Sequence, residues 1–145
     1  MTNISKTAAN TTALLLAFSA TLWAPVFFAA EPPSSKPPEP SIQHVDAKQA
    51  QKLIEDKKVI TLDIRTPDEF NRGKIAGAKN IDFQAPDFEQ RIDALDKSKS
   101  YLVHCASGGR STRSLALFEQ HQFQSIYHLD GGIKAWEKAG LPVEK

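Results

Sequence analysis

Apolar residues are distributed along the chain in two different ways. Between Ala13 and Ala30 they run almost unbroken, whereas from Ser41 onward short apolar bursts alternate with stretches in which they recur every three or four positions. The bursts Val59-Ile60-Thr61-Leu62, Asn80-Ile81, Tyr101-Leu102-Val103 and Ser125 to Leu129 predict strands, the first of them fully buried. Between them, Ala50, Leu53 and Ile54 predict one helix, with Asp46 as its N-cap. Phe88, Ile92 and Leu95 share one face of a second helix, and Leu115 and Phe118 point inward from a third spanning about Ser111 to Gln120. Thr66-Pro67-Asp68-Glu69 has the form of a helix start: a capping threonine, proline at the first helical position and glutamate three residues after the cap. Asp130-Gly131-Gly132 turns into a last helix carrying Ile133 and Trp136, which Gly140 and Pro142 stop. Strands alternating with helices imply an α/β domain with a mainly parallel sheet.

The amino end has a different character. Lys6 is the only charged side chain among the first thirty residues, and it precedes the Ala13–Ala30 apolar run. Residues 1–30 therefore predict a signal peptide and an exported, periplasmic protein. The cleavage pattern departs from the ideal at Phe28, the third position back from a cut after Ala30. An amino-terminal anchor is the competing reading, weakened by Pro25 and by the polar Ser19 and Thr21 within the run. Residues 31–41 form a linker: EPPSSKPPEP holds five of the nine prolines and no large apolar side chain, a composition that favours extended polyproline II. The folded domain is assigned to residues 42–145, a length that suits one modest core.

Charge narrows the function. The chain carries 18 basic and 17 acidic side chains, and with Lys6 set aside the two signs balance. No nucleic-acid partner is expected, because proteins that bind phosphate backbones show a basic excess. Cys105 is the only cysteine, which excludes an intramolecular disulfide and any cysteine-rich metal site. His44, His121 and His128 lie scattered, without metal-ligand spacing to a cysteine, so no metal is expected.

The chemistry concentrates in His104-Cys105-Ala106-Ser107-Gly108-Gly109-Arg110-Ser111, a loop between a strand and a helix. In a parallel α/β sheet, ligands bind at the carboxyl ends of strands. The glycine pair lets the backbone curl until successive N–H groups converge, and such a nest stabilises an anion in front of the following helix. A cysteine at its start is expected to hold a stabilised thiolate, the nucleophilic form; the competing reading is a small buried hydrophobe. Arg110 and Arg113 open the helix where acids are normally preferred, which makes sense if the usual occupant of the nest is anionic. Ser107 and Ser111 are further donors to it. His104 is adjacent to Cys105 on a strand, points to the opposite face and is expected to be structural.

Three segments resemble the motifs of rhodanese-homology domains in their usual order. Leu62-Asp63-Ile64-Arg65-Thr66-Pro67-Asp68-Glu69-Phe70 with Gly73 to Ile81 is similar to the entry motif, Cys105 to Arg110 to the active-site loop, and Leu129-Asp130-Gly131-Gly132-Ile133-Lys134-Ala135-Trp136 to the carboxyl-terminal motif. Lys74 stands where many members have histidine. The resemblance implies about five strands, mainly parallel, with helices on both faces. It implies a thiosulfate sulfurtransferase in which Cys105 forms a persulfide and passes its sulfur to cyanide or a thiol, with an acceptor protein as a further candidate partner and no cofactor. It also implies that the amides of residues 106–110 (Ala106, Ser107, Gly108, Gly109 and Arg110) hold the anionic sulfur, that Arg110 assists the loop and donor, and that Asp63 and Arg65 lie near the loop. Those two either orient loop or donor, or form a structural ion pair; both readings stay open.

Two rivals remain. Cysteine phosphatases and arsenate reductases share the strand–loop–helix, but place five residues between Cys and Arg; here there are four, Ala106 to Gly109. A sulfur-carrier or binding module without turnover is the non-enzymatic rival, and retention of Cys105 with Arg110 weighs against it.

Overall fold

The computed structural model describes residues 41–145. The segment predicted to direct export and the predicted proline-rich linker lie outside the described residues, except Ser41. That residue, grouped with the linker from sequence, is the first of a strand, because its N–H bonds the Gln124 carbonyl at 3.1 Å. Among the described residues no helix is long and apolar enough to cross a membrane.

The elements follow in the order β1 (Ser41–Val45), α1 (Ala47–Glu55), β2 (Ile60–Asp63), α2 (Pro67–Arg72), β3 (Lys79–Asn80), α3 (Phe88–Asp93), β4 (Ser100–His104), α4 (Gly109–Gln120), β5 (Ser125–Leu129) and α5 (Gly132–Lys138). Their sheet has the order β1-β5-β4-β2-β3, and every pairing is parallel. All carboxyl ends therefore lie on one edge, with β4 in the middle.

Strand alternation divides the core in two. On one face Leu62, Tyr101, Val103, Cys105 and Ile126 pack with Phe88 and Ile92 of α3 and Leu115 and Phe118 of α4. On the other, Leu102 and Leu129 pack with Ala47 and Ala50 of α1 and Ile133 and Trp136 of α5. Parallel strands covered on both faces need this near-continuous apolar character.

Both expected caps are present. Asp46 and Gln49 form a capping box on α1, and Thr66 and Glu69 form one on α2, with Pro67 in the first turn. The third predicted helix begins two residues earlier than its sequence pattern, at Gly109. Gly108 takes the cap position with φ 98°, a left-handed conformation that favours glycine.

Candidate active site

Cys105 directly follows β4 and is 1% exposed, so its sulfur forms the floor of the loop rather than its rim. The Gly108 N–H reaches Sγ at 3.2 Å and the Ser111 hydroxyl lies 3.5 Å from it. Burial pushes the Cys105 thiol up. The Ser111 hydroxyl and the backbone N–H groups of Ser111, Ser107 and Gly108 push it down further, so the net position is below the ordinary thiol value. The loop thus favours a thiolate without a neighbouring general base.

The loop holds this shape because α5 grips it from behind. The N–H groups of Ile133 and Lys134 donate to the carbonyls of Cys105 and Ala106 at 2.9 and 3.1 Å. With those carbonyls turned toward α5, the loop's amides are left to face the sulfur. Such close approach requires Gly132: a Cβ there would lie 2.4 Å from the Cys105 carbonyl oxygen, and its φ is +61°.

Arg110 is paired with a carboxylate from a neighbouring helix. Its guanidinium makes a two-pronged ion pair with Glu69 of α2, at 2.8 and 2.7 Å. Glu69 raises the proton affinity of Arg110 most, and the Cys105 sulfur adds to it, so Arg110 sits beside the sulfur with its charge already matched. Glu69 is the residue that sequence reasoning missed: its capping role was legible, but its reach to Arg110, 41 positions away, was not. Arg113 lies over the Phe83 ring at 5.2 Å.

The Glu69 carboxyl is lowered to about 2, foremost by the Arg110 hydrogen bond, against opposing burial and with help from Thr66. A depressed carboxylate contributes stability that is present above its unfolded value and lost as pH falls through the folded one. Glu69→Gln is therefore expected to be less stable than the parent at neutral pH, by about 1 kcal/mol, the upper end for ion pairs that are only partly shielded from solvent. The difference should close between pH 4.5 and about 2. Urea denaturation of both proteins across that range measures it; a gap independent of pH would mean that the pair contributes nothing.

Asp63 and Arg65 form an ion pair at the end of β2. Both are buried, the Arg65 Nε lies 2.9 Å from both Asp63 carboxylate oxygens, and its Nη2 also donates to the Gly73 carbonyl at 2.7 Å. The Asn80 amide ties the carbonyls of residues 63 and 65 together. These bonds fix the end of β2 beside β4, and neither side chain hydrogen-bonds to the 105–111 loop. His104 is fully buried; its Nδ1 lies 3.3 Å from the Cys105 carbonyl and its Nε2 3.8 Å from Asp63. Burial pushes its pKa down, which keeps the ring neutral.

One further contact was hidden in the sequence. His128 on β5 turns toward α4, where its Nε2 lies 2.9 Å from the Ser111 hydroxyl, the same hydroxyl that faces Cys105.

A family model described as "Rhodanese-like domain" matches residues 46–139. The chain is 32% identical over 94 residues to a sulfurtransferase of Allochromatium vinosum, covering 65% of this chain and 86% of that one. It is 30% identical over 101 residues to the thiosulfate sulfurtransferase GlpE of Vibrio cholerae, covering 70% and 93%. The crystal structure of a rhodanese-related protein from Thermoplasma volcanium matches with a TM-score of 0.64 at 30% identity, over 70% of this chain and 97% of that one. Every element from α1 to α5 falls within the family match, and the chain belongs to the rhodanese-like domain family, with sulfurtransferases among its relatives.

Proposed function

We propose that the protein is a thiosulfate sulfurtransferase working through a Cys105 persulfide. The observation that carries this reading is the buried Cys105 sulfur with the Gly108 amide aimed at it from 3.2 Å. The thiolate attacks the outer sulfur of thiosulfate; the S–S bond of the donor breaks, and sulfite leaves with the bonding electron pair. Cyanide or a thiolate then attacks the outer sulfur of the persulfide, and Cys105 departs as thiolate. The amides of residues 106–110 receive the terminal sulfur as an oxyanion hole receives oxygen, while Arg110, neutralised by Glu69, braces the loop more than it binds donor. The name of the Vibrio cholerae relative supports thiosulfate as donor. Four residues between Cys105 and Arg110 favour a single sulfur over a tetrahedral phosphate.

Intact mass spectrometry tests the cycle. Thiosulfate is expected to add one sulfur atom to the protein, and cyanide to remove it. No mass gain, or a gain that cyanide leaves in place, would overturn the reading.

We also propose export with removal of the amino-terminal segment, on the strength of the Ala13–Ala30 apolar run behind Lys6. Amino-terminal sequencing of the natural product is expected to begin close to Glu31. An intact Met1 on membrane-bound protein would establish the anchor instead.

A further inference from the structure

Parallel pairing of the edge strand β1 with β5 sets His44 directly opposite His128, and Asp130 follows just beyond the end of β5. The Asp130 N–H is tied to the Val45 carbonyl at 2.9 Å, which fixes the turn that brings its carboxylate back toward the two rings. Three donor atoms meet there. His44 Nδ1 is 2.7 Å from Asp130 Oδ1, His128 Nδ1 is 3.0 Å from the same oxygen, and the two ring nitrogens are 3.2 Å apart. A cluster of two imidazoles and one carboxylate was invisible in the sequence, where 84 residues separate the histidines.

We propose that His44, His128 and Asp130 form a binding site for one divalent transition-metal ion of the zinc type, with water completing its shell. Bonds of about 2.0–2.1 Å in tetrahedral geometry place donor atoms about 3.3 Å apart. Seating the ion requires the observed triangle, with sides of 2.7, 3.0 and 3.2 Å, to widen by up to about 0.6 Å on its shortest side. The side chains of His44 and Asp130 are 54% and 57% exposed, so they have the freedom to open and leave a mouth for the ion and for water.

His128 supplies the fixed corner. It is buried, and its second nitrogen, Nε2, faces the Ser111 hydroxyl at 2.9 Å. A ligating histidine that gives its other N–H to an oxygen partner has its ring orientation and tautomer set for the metal. Imidazole nitrogens with a single carboxylate suit zinc, cobalt, nickel or copper, whereas magnesium and calcium prefer all-oxygen sites. The carboxylate supplies the negative charge that a dication entering a half-exposed site needs.

The site adjoins the Cys105 loop through one hydroxyl. With a metal on Nδ1, the His128 proton resides on Nε2 and is donated to Ser111. The single Ser111 proton is then directed to Cys105 Sγ at 3.5 Å or to the Gly108 carbonyl at 2.9 Å. This metal site stands independently of the sulfur-transfer reading, since its ligands lie outside the loop.

Calorimetric titration of the purified, metal-free protein with zinc tests the assignment, in a Cys105→Ser background so that the thiol does not compete. One ion per chain is expected. His44→Gln and Asp130→Asn, both at exposed positions, should each weaken binding at least about tenfold. His121→Gln should leave it unchanged; that residue meets Asp93 at 2.8 Å and Glu89 at 3.6 Å and is the rival cluster. Failure of the parent to take up stoichiometric zinc would make the trio a hydrogen-bonded cluster and overturn the proposal. Equal affinity in His44→Gln, or loss of uptake in His121→Gln, would overturn it as well.

Discussion

Cys105→Ala is expected to reduce sulfur transfer from thiosulfate to cyanide by three orders of magnitude or more, equivalent to about 4 kcal/mol of transition-state stabilisation. No other thiol is present to carry a persulfide. The remaining loop amides would still attract an anion, but a bound donor would have no nucleophile to attack it. Stability should fall by only about 1 kcal/mol, within the range of ordinary single substitutions, because the sulfur is one atom of a large apolar face that Leu62, Val103, Leu115 and Phe118 also fill. Steady-state kinetics and thermal melting on the same preparation separate the two effects. Transfer at the parent rate by a well-folded Cys105→Ala protein would eliminate the covalent cycle.

What the sequence disclosed about this site, and what it withheld, follows from the range of the interactions. Local ones were legible. Thr66 and Glu69 form a capping box within four residues, with Pro67 in the first turn, and the glycines of the 105–111 loop announce a backbone that must curl. The face buried by Leu115 and Phe118 follows from helical period alone. Edge strand β1 was harder: Ile42-Gln43-His44-Val45 has no clean alternation, and it is a strand only because β5 offers a parallel partner. Contacts across long sequence separations were not legible at all. Glu69 with Arg110, and His44 with His128, come together because parallel strands deliver all their carboxyl ends to one edge, and no spacing rule encodes that meeting.

The Arg110–Glu69 pair also changes how the loop's electrostatics are understood. Two arginines at the start of α4 looked like a surplus of positive charge awaiting an anion. One is instead neutralised from α2, and the other stacks on Phe83. Stabilisation of charge on Cys105 therefore rests mainly on neutral donors: the amides of residues 107, 108 and 111 and the Ser111 hydroxyl. Donors held in place by backbone require little reorganisation when charge moves from thiolate to persulfide, and this makes the loop's shape the quantity to perturb.

Gly132→Ala is the substitution expected to perturb that shape most. Its new Cβ would meet the Cys105 carbonyl oxygen at 2.4 Å and the Ala106 carbonyl carbon and oxygen at 2.8 Å, all backbone atoms without a rotamer to escape into. Relief requires the loop to move away from α5, breaking the Ile133 and Lys134 hydrogen bonds that hold its carbonyls outward. A displacement approaching 1 Å at a reacting centre costs about a hundredfold in rate, and sulfur transfer is expected to fall by roughly that factor. Left-handed φ adds about 1–2 kcal/mol of strain to the folded state, so a loss of stability alone would not identify the cause. Gly131→Ala provides the control. It has a φ of +72° and would crowd Ala135 Cβ at 2.7 Å, but no loop carbonyl. Both variants should melt at lower temperature, and only Gly132→Ala should lose transfer out of proportion to its melting. If the two lose activity equally, or if Gly132→Ala transfers sulfur at the parent rate, then α5 does not set the shape of the Cys105 loop.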